Sequence, residues 1–298
     1  MQELRIGLIG LDTSHAPAFA KLLNDPSHPH HVPGGRIVTA FPGGSPDFAL
    51  SIDRVEGFTA QVRDESGVEI VNSPAEVAQN CDSLLLTSVD GRVHLEQLRE
   101  IAPFGKPVFV DKPFATTSRD ALAMTELVAQ HHIPLMSCSS LRYGVPLTDA
   151  LATAEQIIGA DCCGPMNIEP TQPGFFYYGI HSVEMLYAVF GPGCQQVSVV
   201  TTPDYDLITA LWSDGRIGSV RGNRKGNFTF GALLHGPSTS RYVDAYNHPK
   251  PAYAAMLEHV MTFFQTGQSP IALPETLEII RFIEAANQSR EQGGTVAL

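Results

Sequence analysis

The chain has 298 residues, 43% hydrophobic and 17% charged, with 31 acidic against 19 basic side chains and a net charge of −12. A chain of this length buries roughly three quarters of its unfolded surface, so no disulfide or metal staple is needed. The acidic balance excludes a surface that tracks nucleic-acid phosphates or an anionic bilayer, since both need a basic footprint.

Five cysteines, Cys81, Cys138, Cys162, Cys163 and Cys194, share no paired spacing. No apolar run approaches ~18 residues, and the Met-Gln-Glu start passes into a strand without a leader core. The expected location is therefore the reducing cytoplasm, with no membrane partner. In chain order, short apolar strands are expected at residues 4–10, 36–41, 68–71, 83–87, 107–110 and 134–137. Helices are expected between them at 16–23, 47–63, 74–79, 93–101 and 119–132. This alternation predicts an α/β fold: a doubly wound parallel sheet covered on both faces, with its ligand crevice at the carboxyl ends of the strands. The rhythm changes near Tyr143. A helix over 145–158 precedes strands at 166–170, 196–201, 207–213, 216–221, 228–234 and 240–246, interrupted by a helix at 179–190 and closed by helices at 251–266 and 274–292. Asp214-Gly215 is a hairpin turn, and the second half reads as an α+β domain with a mostly antiparallel sheet. The expected domains are 1–143 and 144–298.

The stretch "RIGLIGLDTSHAPAF", 5–19, begins like a dinucleotide-binding unit, but its phosphate loop is altered. Gly10 holds the first glycine position, Asp12 the second and His15 the third. In the regular loop the second glycine lets backbone approach a pyrophosphate, which then rests on free N–H groups at the helix start. Asp12 is also a good N-cap, able to accept from the N–H of Ser14 or His15. A carboxylate about 5 Å from a phosphate charge costs about 3 kcal/mol at an effective dielectric near 20. Two readings stay open: Asp12 turns away and Thr13 and Ser14 offer hydroxyls, or cofactor binding is weak. The second strand ends at Phe41 without the acid that receives a ribose hydroxyl. The turn Pro42-Gly43-Gly44-Ser45 is either a phosphate-receiving turn favouring NADP or a plain surface turn. "HPHH", 28–31, lacks the spacing of a metal site, and no metal is expected.

"GKPVFVDKPFATT", 105–117, puts Asp111 and Lys112 at the carboxyl end of a parallel strand, with Pro113 biasing the lysine to an extended conformation. Together with "SLLLTSVDGRVHLEQL" (83–98) and "SSLRY" (139–143), this resembles the Gfo/Idh/MocA family of glucose–fructose oxidoreductase and inositol dehydrogenase-like enzymes. The resemblance spans essentially the whole chain. It implies a Rossmann domain, a second domain whose sheet often forms a dimer, and NAD- or NADP-linked oxidation of a sugar, polyol or sugar acid. Lys112 would contact substrate and nicotinamide. The cofactor would lie across Gly10, Asp12, Thr13, Ser14, His15, Phe41, Ser45, Thr87, Ser88, Asp90, Asp111 and Lys112.

The family's second motif, Asp-x-Gly-x-His-x-x-Asp, is matched by "YYGIHSVEMLYAVFG", 177–191. His181 would be the proton-exchanging group, since histidine titrates near neutrality. Glu184, three residues on, shares its helix face. Tyr177 replaces the first aspartate; a phenol can donate to a substrate oxygen but cannot orient the histidine as a carboxylate does. Arg142 and Glu184 would line the substrate side. The leading reading is thus a dehydrogenase, a homodimer or larger homo-oligomer, in which Lys112 and His181 face one crevice. Its rival is a catalytically degenerate binding or regulatory protein on the same scaffold, because fold does not carry function.

Overall fold

The apolar runs of the first half become six parallel strands: β1 (Leu4–Ile9), β2 (Gly35–Phe41), β3 (Glu69–Ile70), β4 (Ser83–Leu86), β5 (Val108–Asp111) and β6 (Leu135–Cys138). The computed structural model describes residues 3–298. Every residue of β4, β5 and β6 is buried, which is why these strands show no alternation of polar and apolar side chains. Between them run α1 (His15–Asn24), α2 (Ala49–Ser66), α3 (Pro74–Gln79), α4 (His94–Ile101) and α5 (Ser118–His131). The strand order is β3-β2-β1-β4-β5-β6, so the winding reverses between β1 and β4. The loops after these two strands leave the sheet side by side, where doubly wound sheets bind ligands. Helix ends follow local chemistry. The Ser73 hydroxyl accepts from Glu76 N ahead of Pro74 at the start of α3, and left-handed Gly67 ends α2.

The second unit holds α6 (Val145–Ala152), β7 (Gly159–Pro165), α7 (Gly179–Phe190), β8 (Cys194–Thr201), β9 (Tyr205–Trp212), β10 (Ile217–Asn223), β11 (Gly231–His235), β12 (Ser240–Asp244), most of α9 (Leu273–Gln292) and β13 (Thr295–Ala297). Its seven-stranded sheet runs β12-β11-β7-β10-β9-β8-β13, antiparallel except for the parallel pair β7–β10. Gly215, at φ 90°, turns the β9–β10 hairpin as expected. Two expectations fail here. The strand placed at 166–170 is absent, and β7 lies just before it. The helix placed at 145–158 stops at Ala152, where the Thr153 hydroxyl donates back to Asp149 O at 2.8 Å. β7 reads Gly-Ala-Asp-Cys-Cys-Gly-Pro, with little β propensity, but its small residues are needed for packing. A Cβ on Gly164 would lie 2.7 Å from Ser182 Oγ of α7. Likewise a Cβ on Gly218 of β10 would meet Leu186 at 2.8 Å. α7 therefore covers one face of the sheet, and the other face exposes Val200, Tyr205, Ile217 and Tyr242.

The first unit runs to Ala115, takes in Arg119–Cys138, and is completed by Met256–Leu273 from late in the chain. That segment contains most of α8 (Ala252–Thr266). Met261 Cε lies 2.9 Å from where a Cβ on Gly35 would stand, so β2 starts on glycine beneath the returning helix.

Candidate functional site

The loop after β1 begins at Gly10, φ 94°, where a Cβ would sit 2.3 Å from Ser88 N; only glycine allows the loop after β4 to come this close. The Thr87 hydroxyl donates to Gly10 O at 2.8 Å, and the Ser88 hydroxyl to Gln97 Oε1 at 2.9 Å. Gly10 N and Leu11 N donate to Phe41 O and Pro42 O, continuing the β1–β2 pairing past the strand ends. Asp12 is not the N-cap of α1. That position belongs to Ser14, whose side chain caps nothing. The Asp12 carboxylate instead accepts from the Ser51 hydroxyl at 2.6 Å and from Val89 N at 3.0 Å. One buried side chain thus ties the loop after β1 to the first turn of α2 and to the loop after β4. Tertiary partners outcompete the local cap because they satisfy both carboxylate oxygens away from water. Burial pushes the Asp12 carboxyl above its ordinary value, against the pull of Ser51 and Val89.

Ser45 N donates to the Ser51 hydroxyl at 2.8 Å, while the buried Ser45 hydroxyl meets no partner among the described residues. Thr13 Oγ1 receives His15 N over a long 3.4 Å. Asp90 is buried and held by Arg92 at 2.8 Å, which also grips Asp47 at 2.8 Å.

At the end of β5, Asp111 pairs with His15 of α1. Burial alone would raise the Asp111 carboxyl, but the charges of His15 and Lys112 outweigh it and hold it below the usual range. Lys112 is only 8% exposed. Burial lowers its ammonium's pKa, and Arg54 lowers it further, while Asp111 and Asp12 oppose the shift. His94 is fully buried, its ring nitrogens on Ser88 O at 2.8 Å and Phe114 O at 3.2 Å, joining the loops after β4 and β5. The structure therefore gathers Gly10, Asp12, His15, Ser88, Asp111 and Lys112 at the carboxyl ends of the strands of the first sheet.

In the second unit, Ser139 leads a short turn, Ser140–Tyr143, and its hydroxyl meets His181 Nδ1 at 2.7 Å. Tyr178 packs edge-on to His181 at 5.8 Å, and Tyr177 to Tyr178 at 5.0 Å. Glu184 does not hold His181. It bonds Arg142 at 2.9 Å, and Arg142 also bonds Glu275 at 2.5 Å. Burial raises the Glu184 carboxyl although Arg142 opposes it. Tyr177, His181, Glu184 and Arg142 lie in one neighbourhood, with the last two engaged in an ion triad.

Residues 4–138 match the model of an oxidoreductase family with an NAD-binding Rossmann fold, Gfo/Idh/MocA. These residues carry the Rossmann domain of that family. No curated protein matches the sequence. Solved structures share the fold at low identity. Myo-inositol 2-dehydrogenase from Lactobacillus plantarum is 17% identical with a TM-score of 0.79, covering 100% of both chains. Myo-inositol dehydrogenase from Lactobacillus casei, in complex with NAD(H) and myo-inositol, is 12% identical with a TM-score of 0.78, covering 100% of this chain and 97% of that one. An oxidoreductase from Agrobacterium radiobacter, in complex with NAD+, L-tartaric acid and magnesium, is 17% identical with a TM-score of 0.76, covering 99% and 98%.

The loop after β1 fits a dinucleotide phosphate in its donor set. The N–H groups of Thr13 and Ser14 meet no acceptor among the described residues and stand at the start of α1, the usual anion position. Asp12 opposes an anion from within the loop, but its oxygens are engaged by Ser51 and Val89. Sequence reasoning missed Ser51, Arg54 and His94. His94 lies inside the stretch 83–98 that carried the family resemblance; Ser51 and Arg54 have no motif around them.

Proposed function

We propose that this chain is an NAD- or NADP-dependent oxidoreductase acting on a hydroxyl of a sugar, polyol or sugar acid. The observation that carries the reading is Lys112: a buried ammonium with a lowered pKa, at the carboxyl end of β5, in the unit that holds the NAD-binding loop. The hydroxylated ligands of the Lactobacillus casei and Agrobacterium radiobacter structures support the substrate class. Thr13 and Ser14 would hold the cofactor phosphates on their N–H groups, with Gly10 and Ser88 forming the floor. A bound nicotinamide supplies the hydride acceptor. Lys112 donates to the reacting hydroxyl oxygen and polarises it; its lowered pKa brings proton release closer to neutral pH. His181, oriented through Nδ1 by Ser139, takes up the hydroxyl proton as the carbon–hydrogen bond breaks. Tyr177 and Arg142 line the substrate side, with Glu184 fixing the Arg142 guanidinium.

Thermal shift against NAD+, NADH, NADP+ and NADPH tests this. A ligand at 100 times its Kd stabilises the fold by about 2.7 kcal/mol. No shift with any of the four at millimolar concentration overturns the oxidoreductase reading. The rival, a scaffold that no longer turns over, is favoured by the seat of Asp12 in the loop. Replacing Asp12 with glycine raises nicotinamide affinity if the carboxylate is the obstacle, and unchanged affinity removes that explanation. The exposed face of the second sheet, with Val200, Tyr205, Ile217 and Tyr242, would receive the same face of a second copy; sedimentation of a monomer at micromolar concentration speaks against it. The absence of a disulfide among the described cysteines supports a reducing cytoplasm.

A further inference from the structure

Arg54 lies on α2 one turn beyond Ser51, on the same helix face that meets Asp12. Its Nε and Nη2 atoms are out of contact with solvent and have no hydrogen-bond partner among the described residues. Buried polar groups in native proteins are nearly always paired, and an unpaired pair of N–H groups on a cation calls for an explanation. These two atoms form one edge of the guanidinium, whose parallel donors match two oxygens of a carboxylate or phosphate. Its π contact with Phe58, 5.8 Å from the ring centre, engages the face of the group and leaves that edge unmatched.

The neighbouring carboxylates are committed elsewhere: Asp12 to Ser51 and Val89, Asp111 to His15. Lys112 is a second cation, close enough for Arg54 to disfavour its charge. Asp111 and Asp12 offset the charge of Lys112 in part. No carboxylate reaches the buried Nε–Nη2 edge of Arg54 among the described residues, and a polar edge so placed is destabilising unless a further group enters. We propose that Arg54 and Lys112 together receive an anionic group of the ligand, a carboxylate or a phosphate, with the Nε–Nη2 edge of Arg54 gripping it side-on. This deepens the oxidoreductase reading and rests on it for the choice of ligands. The anion comes either from the substrate, making it a sugar acid, or from the nicotinamide dinucleotide.

The test is calorimetric titration of the full chain and of Arg54→Gln and Arg54→Met with five probes: NAD+, NADP+, inorganic pyrophosphate, D-gluconate and D-glucose. The methionine variant keeps an apolar stem against Phe58, so it preserves packing if the glutamine variant unfolds. Both variants are expected to bind at least one anionic probe at least tenfold more weakly, with neutral D-glucose unchanged. Loss confined to gluconate assigns the anion to the substrate, and loss on NAD+, NADP+ or pyrophosphate assigns it to the cofactor. Variants within twofold of the wild type on every anion, or a wild type that binds none of them, overturn the proposal. Gluconate bound through Arg54 with no nicotinamide nucleotide bound would retire the oxidoreductase reading and leave this one standing.

Discussion

The two units use buried charge for different ends. At the carboxyl ends of the strands of the first sheet, Asp12 and Asp111 each reach to another loop or helix: Asp12 to Ser51 and Val89, Asp111 to His15. Their acidities move in opposite directions: burial outweighs the Ser51 and Val89 bonds at Asp12, whereas His15 and Lys112 outweigh burial at Asp111. In the second unit, Arg142, Glu184 and Glu275 form a closed triad that anchors α7, and His181 on the same helix is oriented by a serine hydroxyl. Burial alone therefore does not mark a working group. A charge matched by a full partner holds the fold, and a cation left with a repelling neighbour, as Lys112 is by Arg54, is available to a ligand.

The largest effect separating these roles is on rate. Lys112→Met should lower kcat by about 10²–10⁴-fold, the usual span for a proton-handling group, without lowering the melting temperature. His181→Asn should lower it by a similar factor, and the double variant should lose less than the product of the two if both serve one reaction. Additive losses would break that link. Arg142→Met should act first on stability, leaving the buried Glu184 and the half-buried Glu275 without their cation at a cost of about 3–5 kcal/mol, read from denaturant unfolding. A stable variant with a raised KM would leave Arg142 its substrate-side role alone.

The contrast between the two aspartates appears in pH dependence. Asp12 binds its proton more tightly in the native state, so its contribution is full below 3.8 and is lost as pH rises through the higher native value. Asp12→Asn should raise the melting temperature at pH 7 and flatten that decline. Asp111 runs the other way, contributing above 3.8 and losing its contribution as pH falls through its depressed native value. A melting temperature at pH 7 that falls in Asp12→Asn would mean the charge itself is needed by Ser51 and Val89. The smallest effect expected is that of Ser139→Ala. Losing one hydrogen bond to His181 is worth about 1 kcal/mol. It should appear as a shifted limb in the pH profile of kcat/KM with KM unchanged.

Much of the fold was readable because apolar runs and their spacing are local. The six parallel strands and α7 follow from such runs. β7 did not, because its Gly and Cys residues answer to the packing of α7 rather than to strand propensity. Among the candidate residues, the Asp-Lys-Pro turn and His181 were visible as motifs at element ends. The seat of Asp12 was not, since the N-cap rule sees two or three residues ahead and Ser51 lies 39 residues away. Arg54 carried no signal at all; only its unmatched edge in three dimensions singles it out.

The late return of residues 256–273 to the first unit bears on how this protein is made. While translation proceeds at about 5–20 residues per second, the parallel sheet waits about 7 to 27 seconds for the segment that covers the start of β2. A gene fragment cut after Tyr143 should yield a chain that aggregates, and supplying the missing helix as a separate peptide should restore its solubility.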